Sequence, residues 1–93
     1  MGGKRKKEVV TFTMPEGDTI TVILVYLGDK GVTMEPVSAN PNKVHHHKFQ
    51  DSSGNWNLLI RDQYNRNIAA YVLDNKTEKW SRRPLTDAER RRR

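Results

Sequence analysis

Apolar and polar residues alternate along most of the first half of this chain with the two-residue period of β-strands. Residues 10–14 place Val, Phe and Met between threonines, and Pro15 then opens a tight turn. The run from Thr19 to Leu27 is apolar on both faces and predicts the strongest strand. A return strand over 32–37 and a further strand over 44–50 follow, with a loop between them.

The second half of the chain is more regular. Asp51, Asp62 and Asp74 each precede a turn, at spacings of 11 and 12 residues. Strands are predicted between these turns over 56–60 and 68–73, and a last short strand carries Trp80. This spacing is typical of an antiparallel meander. We therefore predict an all-β fold of six to seven strands that forms a small barrel or sandwich.

Helix signals are confined to the C-terminal end. Thr86 and Glu89 have the spacing of a capping box, with acidic residues at the start and arginines at the finish. So few residues follow the cap that an isolated helix would be unstable in water. The sequence predicts at most a short C-terminal helix.

Composition limits the class of protein. The chain has 93 residues, 34% of them hydrophobic, and no cysteine. A disulfide scaffold, a thiol nucleophile and a thiolate zinc site are therefore excluded. No apolar run approaches the roughly 20 residues of a transmembrane helix, and the basic start leads into no signal-peptide core. We expect no membrane association and an intracellular location, in cytoplasm, nucleus or virion.

Positive charge lies at the two ends of the chain. Four basic residues occur within residues 1–7 and six arginines after Ser81, whereas residues 8–80 carry seven basic and nine acidic side chains. Blocks of like charge repel themselves and stay solvated. We therefore expect a disordered basic arm over 1–7, one β domain over 8–83, and a basic tail or short helix over 84–93.

Two basic arms on a slightly acidic core favour contact with nucleic acid through phosphates, because each neutralised phosphate releases counterions. Aromatic residues near basic ones add the ability to stack on single-stranded bases. The predicted nucleic-acid-binding residues are Lys4, Arg5, Lys6, Lys7, Lys48, Tyr64, Arg66, Lys79, Trp80, Arg82, Arg83, Arg90, Arg91, Arg92 and Arg93.

Several strands are apolar on both faces, and a single sheet would leave one of those faces in water. The alternatives are a homodimer, in which a second copy covers the extra face, and a two-layer monomer in which these are central strands. The homodimer is favoured, with an interface built from Ile23, Val25, Leu27, Leu59, Tyr71 and Leu73.

The three consecutive histidines, residues 45–47, indicate no complete metal site. His45 and His47 would share one strand face, but zinc needs a third and a fourth ligand that the spacing does not supply. Phosphate-binding loops, nucleophile elbows and metalloprotease helices are also absent from the sequence. We expect no metal, no cofactor and no enzymatic activity.

These observations lead to a principal hypothesis and an alternative. The principal hypothesis is a non-enzymatic protein that binds DNA or RNA through its basic arms with little sequence specificity. Such a layout is typical of a packaging or coating protein, viral or cellular, or of an accessory subunit of a nucleic-acid machine. The alternative is a protein-interaction or inhibitor module, or a structural subunit of an assembly, that binds a partner protein with its β surface.

Overall fold

The computed structural model describes residues 6–37 and 43–91, which form seven strands, one turn of 3-10 helix and one short α-helix. No helix within these two ranges is long and apolar enough to cross a bilayer. The elements are β1 (Lys6–Thr13), β2 (Thr19–Tyr26), the 3-10 turn (Gly28–Lys30), β3 (Val32–Pro36), β4 (Val44–Gln50), β5 (Trp56–Asp62), β6 (Asn67–Leu73), β7 (Trp80–Arg83) and α1 (Asp87–Arg90).

The strands form two antiparallel sheets in chain order. Sheet A contains β1, β2 and β3, and sheet B contains β4, β5, β6 and β7. Every neighbouring pair is antiparallel, and a bulge next to Arg61 interrupts the pairing of β5 with β6. The prediction of an antiparallel all-β fold with six to seven strands and a short C-terminal helix is confirmed.

One hydrophobic core lies between the sheets and takes side chains from both. Alternate residues of β2 belong to this core, and so do alternate residues of β5. The largest completely buried side chains include Leu24 of sheet A, Met14 of the turn that follows β1, and Leu58, Ile60 and Leu73 of sheet B. The strands that the sequence shows as apolar on both faces therefore contribute side chains to one core within a single chain.

Aspartates fix the three turns of sheet B. Oδ1 of Asp51 accepts hydrogen bonds from the amides of Ser53 and Asn55, and Asp62 and Asp74 accept equivalent amide bonds in the next two turns. Short polar side chains that hold their own backbone in this way favour turns over strands. The predicted positions of these turns are confirmed.

Gly31 brings the two sheets into close contact. It precedes β3 with φ of 91° and ψ of −134°, a backbone conformation that residues other than glycine rarely adopt. A Cβ atom at this position would lie 2.9 Å from Cζ2 of Trp56, which belongs to sheet B. The glycine is therefore required both by the backbone conformation and by the indole ring packed on it.

We expect Gly31→Ala to lower the free energy of unfolding by about 2–3 kcal/mol, because backbone strain adds to displacement of the Trp56 ring. Gly17→Ala is the matched control, since Gly17 also has a positive φ but has no neighbouring atom within 4 Å of its Cβ position. Thermal unfolding followed by circular dichroism compares the two variants. Equal losses would show that the ring contact is unimportant.

The C-terminal segment covers the outer face of sheet B. Arg83 donates from Nε to the Asn57 side chain of β5 at 2.7 Å, and Asn67 of β6 donates to the Glu89 carbonyl at 3.0 Å. Both parts of the predicted capping box are formed, with Thr86 and Glu89 bonding reciprocally. The segment after residue 84 is therefore attached to the β domain up to α1.

The predicted homodimer interface is largely used inside the chain. Tyr71 and Leu73 face the core, and Val25 and Leu59 are buried on the outer faces of the two sheets. Two causes of the burial of these residues were not visible in the sequence. Strand β6 turns its larger residues inward, and the C-terminal segment crosses the outer face of sheet B. Only Ile23 and Leu27 of the six predicted residues keep partial exposure.

The expected boundary at residue 8 also differs from the structure. β1 already begins at Lys6, because Lys6 and Lys7 pair with Tyr26 and Val25 at the end of the long strand β2. The two lysines therefore have fixed positions on the β domain instead of belonging to an arm.

Candidate functional site

A cleft opens between the two sheets, at the edges formed by β1 and β7. It has a volume of about 320 Å³ and brings together residues from the beginning and the end of the described chain. The residues that line it are Lys6, Lys7 and Glu8 of β1, and Thr77, Glu78, Lys79 and Trp80 of the turn before β7 and its first residue.

Strand alternation explains why charged residues line this cleft. Lys6 and Glu8 lie on the same face of β1 as Val10 and Phe12, which pack in or against the core. The inner face of β1 thus changes from apolar to charged toward its start. Lys6 and Glu8 remain exposed there, so the space between the sheets is open to solvent at this end.

The other wall of the cleft is a well-defined turn. Asp74 accepts hydrogen bonds from the amides of Lys76 and Thr77, and the Glu78 amide donates to the Asp74 carbonyl at 2.7 Å. Glu78 has φ of 59°, a left-handed conformation that is uncommon for a residue other than glycine. The cleft residues that follow are therefore held in place by the backbone.

Trp80 provides an aromatic wall with an unused hydrogen-bond donor. Its side chain is half-buried and packs against the core. Its indole Nε1 is shielded from solvent and has no hydrogen-bond partner among the described residues. An unpartnered buried donor of this kind costs about 1–3 kcal/mol of stability. Because the N–H is shielded from solvent, the part of Trp80 that a ligand in the cleft can contact is its ring.

The cleft carries more cationic than anionic groups. Three lysines face two glutamates, and the single ion pair between them joins Lys6 Nζ to Glu78 Oε1 at 4.0 Å, with both side chains well exposed. Lys7 and Lys79 have no ion-pair partner within residues 6–37 and 43–91. Lys79 therefore brings an ammonium group without an internal counter-charge to the cleft, whereas strand alternation places Lys7 on the opposite face of β1 from Lys6 and Glu8.

Arg82 extends the cationic surface along β7. It lies two residues from Trp80, on the same face of the strand, and its guanidinium carbon is 5.9 Å from the centre of the Tyr71 ring. The guanidinium remains exposed above this aromatic support. Arg82 therefore shares a strand face with Trp80 of the cleft, and its prediction as a nucleic-acid contact stays a prediction.

Arg83 does not extend this surface, because its guanidinium is engaged within the chain. It forms a two-pronged ion pair with the Glu89 carboxylate at 2.9 and 3.0 Å. The paired guanidinium lowers the pKa of Glu89 to about 2, and the carboxylate raises the pKa of Arg83. Arg83 thus attaches the C-terminal segment to sheet B, and its prediction as a nucleic-acid contact stays a prediction.

Tyr64 and Arg66 lie at the opposite end of the molecule. They precede β6, whereas cleft residues 77–80 follow it, and a strand of this length separates the two turns by roughly 20 Å. Arg66 stacks on the exposed Tyr64 ring and pairs through Nε with Asp62 Oδ2 at 2.7 Å. Burial alone would raise the pKa of Asp62, but the amides and guanidinium of this turn lower it.

The remaining predicted contacts are scattered. Arg90 pairs with Asp87 of its own helix, and Arg91 is exposed just after it. Lys48 is exposed on β4, at the far edge of sheet B from β7. Lys4, Arg5, Arg92 and Arg93 lie outside the described residues.

The histidine run occupies the same edge strand, β4. His45 and His47 share the outer face, where the His47 ring stacks on Phe49 at 5.9 Å between centres. His46 faces inward, and its burial lowers its pKa. Across the described part of the chain, no three histidine, aspartate or glutamate side chains come together to hold a metal ion.

The sequence reasoning missed Glu8, Thr77 and Glu78 as site residues. Acidic and neutral residues give no signal for phosphate binding. Only the fold, which places β1 of one sheet near β7 of the other, shows that these three share a cleft with the lysines and Trp80. No known protein family, curated protein or solved structure matches this chain.

Proposed function

We propose that this protein is a non-enzymatic nucleic-acid-binding protein that contacts phosphates with little sequence specificity. The proposal includes an intracellular location, where nucleic acid is present. The observation that carries it is the β1–β7 cleft, where four predicted contacts, Lys6, Lys7, Lys79 and Trp80, lie together although more than seventy residues separate their two groups.

The chemistry of the cleft supports nucleic-acid binding in three ways. Lys6 and Lys79 bring ammonium groups to the cleft, and such groups bind phosphate oxygens as point charges. Lys79 has no ion-pair partner in the described structure, and Lys6 has only the 4.0 Å contact with Glu78. Trp80 brings an aromatic side chain to the same cleft, and a base can stack on such a ring. Arg82 continues the cationic surface beyond the cleft, and in the sequence Lys4 and Arg5 immediately precede Lys6.

The main contact with nucleic acid is proposed to be made by the folded domain instead of by the chain ends. The end of the molecule that contains Tyr64 supports binding less, because Arg66, Arg90 and Lys43 each have an acidic partner there or nearby. Opposite charges within the protein reduce the counterion release that drives phosphate binding. The basic arms are proposed to add salt-dependent affinity to the cleft.

Charge reversal at Lys79 tests the proposal. We expect Lys79→Glu to weaken binding of a labelled single-stranded oligonucleotide about tenfold at low salt and to reduce the slope of log K against log salt by about 1. Fluorescence anisotropy between about 50 and 200 mM salt measures both quantities. Lys30→Glu is the matched control, since Lys30 is an exposed lysine in the 3-10 turn outside the cleft. Equal losses in the two variants would mean that only net charge matters.

A protein-interaction module is the second candidate, and one surface favours it. Val9 on the outer face of sheet A is 62% exposed and pairs across the strands with half-buried Ile23. Adjacent apolar side chains of this kind can pack against a partner protein or a second copy of the chain. A homodimer, if formed, is proposed to use this face instead of the buried Tyr71 and Leu73.

A further inference from the structure

The β1–β7 cleft contains carboxylates as well as ammonium groups, and this mixture narrows the class of ligand. Glu8 and Glu78 line the same cleft, of about 320 Å³, as Lys6, Lys7 and Lys79. Carboxylates repel phosphate, so they are unfavourable in a site that binds a bare phosphate backbone. They accept hydrogen bonds from hydroxyl and amino groups. The cleft therefore suits a ligand that carries an anion and hydrogen-bond donors side by side.

A ribonucleotide has this combination of groups. Its phosphate carries the negative charge, and its 2′-hydroxyl is the donor that distinguishes RNA from DNA. Carboxylates that accept from ribose hydroxyls are a recurrent means of recognising ribose in nucleotide sites. The two glutamates and three lysines place both kinds of partner within one cleft.

The size and aromatic wall of the cleft favour an unpaired nucleotide. A volume of about 320 Å³ lies at the lower end of the range for small-ligand sites. A base within a duplex would reach Trp80 only by leaving the stack, which costs energy, whereas a single strand presents its bases without this cost. The indole ring can stack on such a base.

We propose that the β1–β7 cleft binds single-stranded RNA by enclosing one ribonucleotide, with Lys6 and Lys79 on its phosphates, Glu8 and Glu78 on its ribose hydroxyl, and Trp80 against its base. This inference rests on the proposed nucleic-acid-binding function and specifies its ligand. It goes beyond that function because phosphate contact alone does not separate RNA from DNA.

The test compares full-length protein with four labelled probes of one sequence: single-stranded RNA, single-stranded DNA, duplex RNA and duplex DNA. Anisotropy at fixed low salt is expected to give the tightest binding to single-stranded RNA, about tenfold tighter than to single-stranded DNA. Equal affinities for single-stranded RNA and DNA, or duplex RNA bound as tightly as single-stranded RNA, would overturn the RNA assignment while leaving the proposed function intact. If the protein bound none of the four probes, the proposed function itself would be refuted.

Two variants and a competitor assign the preference to the cleft. Glu8→Gln combined with Glu78→Gln removes negative charge, so DNA affinity should rise severalfold while the RNA-to-DNA ratio falls toward one. Glu35→Gln, an exposed residue of β3, should leave the ratio unchanged. An unchanged ratio in the double variant would contradict the assignment. Unlabelled adenosine monophosphate should displace RNA only at large excess, and complete displacement at equimolar nucleotide would identify a free ribonucleotide as the ligand instead.

Discussion

Leu73→Asp is expected to abolish the folded state of this protein. Leu73 is 1% exposed and belongs to the core between the sheets, where it lies opposite Trp56 on β5 and Trp80 on β7. The substitution removes a buried leucine and introduces a carboxylate that has no partner, at a combined cost of several kcal/mol. A domain of this size has a free energy of unfolding of about 5–15 kcal/mol, so little or none would remain.

Circular dichroism and size-exclusion chromatography measure this outcome. Val9→Asp is the matched control, because Val9 is also a β-strand residue replaced by aspartate but is 62% exposed. The control should fold with a transition within a few degrees of the original chain. A folded Leu73→Asp protein that has merely changed from dimer to monomer would contradict the core position and restore Leu73 to a subunit interface.

Glu89→Gln is expected to give the second largest loss, about 2–3 kcal/mol at neutral pH. The Glu89 carboxylate is 16% exposed and accepts both bonds from Arg83, so the substitution leaves a largely buried guanidinium with a neutral partner. For a chain of this length the midpoint of thermal unfolding should fall by roughly 10–20 °C. Asp87→Asn is the control in the same helix, since its side chain is 75% exposed.

The same ion pair predicts a loss of stability in acid. The pKa of Glu89 is lowered from 4.5 to about 2, mainly by the hydrogen bonds from Arg83. Because the unfolded chain then binds the proton more readily, this contribution is present above about pH 4.5 and disappears as the pH falls toward 2. The stability difference between original chain and Glu89→Gln should therefore shrink over that interval. A constant difference from pH 6 to pH 2 would refute the ion pair.

Local features of the fold were predictable from the sequence because their causes are local. Asp51, Asp62 and Asp74 bond to amides two to four residues ahead, and the Thr86 capping box also closes within three residues. Strand positions follow from the two-residue alternation of apolar side chains. None of these features requires a distant part of the chain.

Features that depend on distant residues were not predictable. Tyr71 belongs to the core between the sheets, whereas its neighbour Ala70 is buried outside that core. The sequence alone does not reveal which face of β6 meets the second sheet. Arg83 was indistinguishable from Arg82 until the structure showed Glu89 and Asn57 beside it. The cleft shows the same limit most clearly, because only the fold brings residues 6–8 together with residues 77–80.

The two tryptophans allow the most direct test of the central claim, that nucleic acid binds at the β1–β7 cleft. In a two-dimensional ¹H–¹⁵N spectrum, Trp80 and Trp56 each give one indole N–H signal, and Trp80→Phe assigns them. On titration with a single-stranded oligonucleotide, the Trp80 indole signal should shift and saturate together with the amides of residues 6–8 and 77–80. The Trp56 indole, packed on Gly31, should stay in place. Shifts confined to residues 62–67 or α1, with the Trp80 indole unmoved, would contradict binding in the cleft.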